Sequence, residues 1–240
     1  MEDLTGRAYA ITGASAGIGR ATARALVAAG ASVAVGARRT ERLDELVAEL
    51  GAERVAAVPM DVREPADAAR LIGAARERFG RLDGVVVNAG IGAYGGIMDL
   101  TDEQLTDMMD VNVAGTVWPI RAAVPHLVEA GRGDVVIVSS VAGLRGEHFE
   151  AVYAATKHAQ MGLAGALDRE LRPKGVRVSA ICPGGVATEF AMGTGRTPDM
   201  PGLADMLREE DVADAILYVL RQPAHMRTLM WSMRHLHEAN

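Results

Sequence analysis

Apolar positions along this 240-residue chain follow two rhythms that alternate. Residues 8–11, 32–35, 55–59 and 82–87 are short apolar runs with strand character, and Val85-Val86-Val87 suits a strand covered on both faces. Between them, 18–28, 41–50 and 67–79 have helical spacing; Leu43, Leu46, Val47 and Leu50 share one face. The second half continues the pattern. Residues 105–126 read as one long helix that Pro119 and Pro125 bend or end, 134–139 as a strand, 152–171 as a helix and 177–181 as a strand. Residues 212–220 read as a helix and 228–232 as a final strand. The alternation predicts an α/β fold, a doubly wound, mostly parallel sheet with helices on both faces. Residues 1–240 then form one domain. The least patterned stretch, 188–201, sets Gly193, Gly195, Pro198 and Pro201 among polar residues. It reads either as a surface connection or as a lid over a cleft, the lid spanning 188–204.

Composition narrows the function classes. A hydrophobic content of 49% argues against disorder. The apolar runs stop well short of the length a membrane span needs, and the first 12 residues lack the basic start and apolar stretch of an export signal. The single cysteine, Cys182, excludes an internal disulfide and suits a reducing, cytoplasmic setting; its apolar neighbours suggest a packed thiol. A net charge of -6 with dispersed arginines gives no footprint for nucleic acid. The six histidines show no metal-ligand spacing, so no metal site is expected.

The first predicted strand runs into Thr12-Gly13-Ala14-Ser15-Ala16-Gly17-Ile18-Gly19 and then a helix. Gly13 suits a tight turn, Gly17 a close approach of backbone to phosphate, and Gly19 close packing of helix on sheet. A pyrophosphate would meet the free N–H groups of the helix. The second strand leads into Arg38-Arg39 where a ribose-binding carboxylate would otherwise stand. Two guanidiniums there favour a 2'-phosphate, hence NADP(H) over NAD(H). Asp61-Val62 could frame the adenine, and Asn88-Ala89-Gly90 provides a polar and two small residues beside a cofactor; both also read as routine turns.

Lysine is scarce. Of 25 Lys and Arg residues only Lys157 and Lys174 are lysines, and Lys157 stands four residues after Tyr153. In a helix that spacing puts both on one face. A phenol with an ordinary pKa near 10 is protonated at neutral pH, and a nearby ammonium is expected to lower it. Ser140 could hold a substrate oxygen beside the phenol.

These residues, with Asn112 in Val111-Asn112-Val113, Ser140 in Ser139-Ser140-Val141-Ala142-Gly143, Tyr153-Ala154-Ala155-Thr156-Lys157 and Pro183-Gly184-Gly185-Val186-Ala187-Thr188, resemble the short-chain dehydrogenase/reductase family over about residues 5–190. The resemblance implies a cytoplasmic NAD(P)-dependent oxidoreductase working on a carbonyl/hydroxyl pair, as a homodimer or homotetramer. It makes Tyr153 the general acid and base, and Lys157 the holder of the nicotinamide ribose hydroxyls. It makes Ser140 the orienter of substrate oxygen and gives Asn112 a water that links Lys157 to solvent. Pro183–Thr188 would line the nicotinamide, with Thr188 on its carboxamide. Departures are Val87 where the family often has a second asparagine, Ala16 where NADP-preferring relatives often carry a basic residue, and a C-terminus without the frequent Gly-rich ending.

Substrate contacts are expected from Ser140, Ala142, Leu144, His148, Phe149 and Tyr153, together with Tyr94, Phe190 and Met192. Glu147 and His148 could meet a polar or amino group or simply face solvent. The leading expectation is an NADP-dependent alcohol dehydrogenase or carbonyl reductase for a small molecule. An epimerase or dehydratase on the same scaffold and a non-catalytic nucleotide-sensing subunit are the alternatives. The tail 235–240 reads as a disordered end or a subunit contact.

Overall fold

The computed structural model describes residues 1–200 and 202–238. Pro201 of the expected lid and the last two residues of the tail lie outside them. Seven strands form one sheet: β1 (Ala8–Thr12), β2 (Ser32–Ala37), β3 (Val55–Pro59), β4 (Gly84–Val87), β5 (Gly133–Val138), β6 (Val176–Pro183) and β7 (Met230–Met233). Their order is β3-β2-β1-β4-β5-β6-β7 and every pairing is parallel. The helices are α1 (Gly17–Ala28), α2 (Thr40–Leu50), α3 (Pro65–Phe79), α4 (Asp102–Met109), α5 (Gly115–Glu129), α6 (Ala151–Leu171) and α7 (Glu209–Leu220).

The period-2 geometry of the strands divides the core in two. Val85, Val87, Val135 and Ile137 face a layer of α3, α5 and α6 with Leu71, Ile72, Ile120, Leu127 and Leu171. Val86, Val136 and Val138 face α1, α2 and α7 with Leu26, Leu43, Leu46, Val212 and Ile216. Both faces of the central strands are therefore apolar, and for that reason their sequences are continuous apolar runs.

The expected helix 105–126 is two helices. α4 begins earlier because Thr101 and Gln104 form a reciprocal capping box. A π turn, Asp110–Ala114, then separates it from α5, and both Pro119 and Pro125 lie inside α5. The break falls at Asn112, ahead of either proline. There the Asn112 carbonyl accepts from the side chains of Thr116 and Gln160.

Strand order reverses between β1 and β4, the place where an open parallel sheet leaves a crevice at the carboxyl ends of its strands. Thr12, Val87, Val138 and Pro183 end their strands on that edge. The glycine-rich turn, Asn88-Ala89-Gly90, Ser140 and the 184–188 stretch follow these ends; Arg38-Arg39 and Asp61 follow β2 and β3, Asn112 lies in the π turn, and Tyr153 and Lys157 lie on α6.

Candidate active site

A cavity of about 910 Å³ opens along this edge and is lined by the glycine-rich turn, Arg38, Arg39, Asp61, Asn88, Ser140, Tyr153, Lys157 and Thr188 among others. The turn is fixed from β4. Thr12 Oγ1 accepts from the backbone N–H groups of Asn88 and Ala89, and Asn88 Nδ2 donates to the carbonyls of Thr12 and Gly13. Gly13 has φ +69°, and a Cβ there would lie 2.8 Å from Ala89 Cα. At Gly6, with φ +73°, a Cβ would meet nothing within 4 Å. Gly6→Ala is therefore expected to lose only the left-handed-backbone penalty, about 1–2 kcal/mol. Gly13→Ala is expected to lose about 1–3 kcal/mol more from the forced shift. Equal losses in urea unfolding would show that the turn is not packed against β4 in this way.

The residues present fit a dinucleotide. α1 starts at Ala16–Gly17 with no side-chain cap and no acidic residue in its first turn, leaving its N–H groups and positive pole facing the cavity. Gly17 lies close to Thr188, where an added Cβ would come within 3.2 Å of the threonine methyl. Ile18, Gly90, Pro183, Gly184 and Val186 also line the cavity, while buried Gly19 sits behind the turn against Gly13 and Asn88. Val62 packs over Gly115 at the far wall.

Arg38 and Arg39 are exposed beside the turn. Arg39 donates to Ser15 Oγ from Nε and Nη2, both at 3.2 Å, and pairs with Glu189 at 2.7 Å. Arg42, which was not singled out in the sequence, pairs with the same Glu189 carboxylate at 3.2 Å. Asp61 is held by Arg63, whose hydrogen bond is the main reason its carboxyl sits below the usual range.

At the other end, Ser140, Tyr153 and Lys157 converge as the motif spacing implied. Ser140 Oγ accepts from the Ala142 N–H at 3.1 Å, and Ser140 favours the phenolate form of Tyr153. Lys157 Nζ lies 5.7 Å from the Tyr153 ring centroid. The rings of Tyr94 and Phe190 flank that of Tyr153 at 5.5 and 5.8 Å between centroids. Here the electrostatics depart from the sequence expectation. Burial raises the phenol above its ordinary value, Tyr94 adds to this, and Ser140 opposes it. Lys157 is itself pushed down to about 8 by burial. Desolvation penalises both charged forms and outweighs their mutual support.

Lys157 Nζ donates to Val138 O at 3.2 Å and to Gln160 Oε1 at 3.1 Å. Two of its three N–H groups are thus taken up, and Gly90 is near, a Cβ there falling 3.7 Å from Nζ. Asn112 Nδ2 donates to Ile91 O and Thr156 Oγ1, and its Oδ1 accepts from the Ile91 N–H. Its carbonyl accepts from Thr116 Oγ1 and from Gln160 Nε2.

The expected substrate residues divide. Tyr94, Ala142, Phe190 and Met192 line the cavity; Leu144, His148 and Phe149 do not. After the 3-10 turn Val141–Gly143 the chain swings outward, Phe149 takes φ 63°, and all three side chains are exposed. Arg145, Glu147 and Glu150 line the rim instead. The segment after Thr188 lies across the mouth: Tyr94 N–H donates to Thr194 O and Thr194 Oγ1 to Gly92 O. The tail as far as Glu238 folds back, its carboxylate accepting from the Gly185 N–H at 3.1 Å.

A family model for short chain dehydrogenases matches residues 7–199. The chain belongs to the short-chain dehydrogenase family. It is similar to an uncharacterized oxidoreductase of Staphylococcus aureus, 34% identical over 226 residues, covering 94% of this chain and 96% of that protein. A solved alcohol dehydrogenase from the archaeon Thermococcus sibiricus, complexed with 5-hydroxy-NADP, is 30% identical, with 98% of each chain covered and a TM-score of 0.88. A 3-ketoacyl-(acyl-carrier-protein) reductase from Brucella melitensis, complexed with NADH, is 29% identical, with 96% of each chain covered and a TM-score of 0.86. The chain is thus a family oxidoreductase whose structural neighbours bind nicotinamide cofactors of both kinds. Among the described residues no helix is long and apolar enough to cross a membrane, and no three His, Cys, Asp or Glu side chains group to hold a metal ion.

Proposed function

We propose that this protein interconverts a hydroxyl and a carbonyl on a small molecule, using NADP(H). The observation that carries the reading is the meeting of Ser140, Tyr153 and Lys157 with the glycine-rich turn in one cavity. NADP(H) bound there supplies or accepts the hydride. Every other role falls to the protein. The uncapped start of α1 and the turn bind the pyrophosphate, and Arg38 and Arg39 bind the 2'-phosphate. Thr188 and the 183–186 backbone line the nicotinamide side.

In reduction Tyr153 Oη gives its proton to the carbonyl oxygen as negative charge develops there; in oxidation the phenolate takes it back. Ser140 Oγ holds that oxygen in line. Lys157, with an N–H left near Gly90, bonds the ribose and places positive charge near the phenol. Cys182 has no part in this chemistry, because burial pushes its thiol up to about 11 and it packs against Met161. Residues 188–204 serve as the lid, since Phe190 covers the Tyr153 ring. The epimerase, dehydratase and nucleotide-sensing alternatives gain no specific observation.

One assay tests both halves of the reading. Ketones, aldehydes, hydroxy acids and amino alcohols are followed at the reduced-nicotinamide absorbance band, with wild type and the double variant Arg38→Ala, Arg39→Ala. Wild type should turn over at least one compound and prefer NADPH to NADH. The double variant should raise KM for NADPH about 10–100-fold, as for loss of charge-assisted bonds of about 1.5–3 kcal/mol, and leave KM for NADH nearly unchanged. An equal change for both cofactors would overturn the NADP assignment, and no turnover by wild type would overturn the activity.

A further inference from the structure

Gln160 lies one helical turn after Lys157 and on the same face of α6. It is 2% exposed. A buried amide is unfavourable unless its polar atoms find partners, and here they do. Oε1 accepts from Lys157 Nζ at 3.1 Å, and Nε2 donates to Asn112 O at 2.9 Å and to Thr116 Oγ1 at 2.8 Å. The acceptor on Asn112 lies in the π turn Asp110–Ala114 that separates α4 from α5. One side chain thus connects the ammonium on α6 to the break between α4 and α5. A leucine or methionine would fill similar space without making any of these bonds.

Building on the function proposed above, we propose that Gln160 is a positioning residue for Lys157. Its amide stabilises the ammonium form, aims Nζ at the cofactor face of the cavity and anchors it to the Asn112–Thr116 turn. It does not touch the reacting atoms. The charged and titratable groups around the pair are few. Tyr153 on α6 and Cys182 on β6 lie closest, and Tyr94, Glu150 and Arg196 act on Tyr153. Asp107 on α4 is half-buried at the cavity and pairs with Arg63, and Asp110 on the π turn is exposed. Among the described residues no carboxylate bonds Lys157, so its Gln160 acceptor matters more than it would beside one.

The scarcity of lysine makes the test direct. With only Lys157 and Lys174 in the chain, 13C-lysine labelling gives two side-chain resonances, assigned with Lys174→Arg. Both are titrated in the protein without cofactor. A hydrogen bond to a charged form favours that form, so Gln160→Met should lower the Lys157 midpoint by about one pH unit. Gln160→Glu should raise it by at least as much. In alcohol oxidation, Gln160→Met should move the rising limb of kcat/KM to higher pH, because less ammonium is present to favour the phenolate. Midpoints within about 0.2 unit of wild type in both folded variants, checked by near-ultraviolet circular dichroism, would overturn the proposal. If wild type turns over no carbonyl compound, the activity reading fails while the lysine titration still decides the role of Gln160.

Discussion

Tyr153→Phe is expected to lower turnover about 10²–10⁴-fold, the range for loss of a positioned acid or base, while NADPH still binds nearly as well. The ring is retained, so its contacts with Tyr94 and Phe190 at 5.5 and 5.8 Å between centroids persist. Only the hydroxyl, the proposed proton donor, disappears. The fold should not suffer: a buried phenol with few partners contributes little net stability, and thermal melts should agree within a few degrees. Tryptophan-to-nicotinamide energy transfer or calorimetry gives the binding constant, and stopped-flow absorbance gives the chemical step. A fall in binding as large as the fall in turnover would mean that Tyr153 acts chiefly in holding the cofactor.

Lys157→Met should separate activity from stability in opposite directions. Activity is expected to fall about 10²–10³-fold, as when a preorganised donor is removed from a developing charge. Stability without cofactor is expected to rise. Burial pushes the lysine down to about 8, from 10.5 as a free side chain. The unfolded chain therefore holds the proton more tightly, and below pH 8 the native state carries the full penalty of a buried ammonium, about 3 kcal/mol. Methionine removes that penalty but leaves the acceptors Val138 O and Gln160 Oε1 without this donor, a loss of about 1–3 kcal/mol. The net gain at pH 7 is on the order of 1 kcal/mol. It should shrink as pH rises from 8 through 10.5, because wild type alone is relieved of the buried charge over that interval. Urea unfolding at pH 7 and pH 10 measures it; a variant equally destabilised at both would contradict the account of Lys157 burial.

The fold was legible where one physical constraint decides the sequence. Strands covered on both faces must be apolar runs, so β1, β2, β4 and β5 were visible, and a parallel sheet needs the helices that separate them. The candidate site was legible for a related reason. Its cofactor-side members follow strand ends, where turn chemistry interrupts the apolar pattern, and Tyr153 and Lys157 stood out by their spacing on one helix face. What lay beyond reading depends on contacts between distant segments. Gln160 looks ordinary on a helix until the π turn presents the Asn112 carbonyl 48 residues away. That π turn was hidden behind Pro119 and Pro125, which are the more obvious breakers but lie inside α5. Leu144, His148 and Phe149 were placed in the pocket by nearness to Ser140 in sequence, yet the backbone turns outward before reaching them. The Tyr153 phenol sits above its ordinary value, not below it, because burial, which spacing to Lys157 does not reveal, penalises the phenolate and Tyr94 adds to this. Arg42 became visible only through Glu189, contributed by the segment across the cavity mouth.

The central claim is that the Tyr153 proton accompanies hydride transfer. The most direct test mixes NADPH-saturated wild type and Tyr153→Phe with the carbonyl compound that reacts fastest, and follows decay of the reduced-nicotinamide absorbance through a single turnover. Decay in wild type, slowed at least about 100-fold in the variant at equal NADPH occupancy, is the predicted result. Decay at the wild-type rate in Tyr153→Phe would contradict the account.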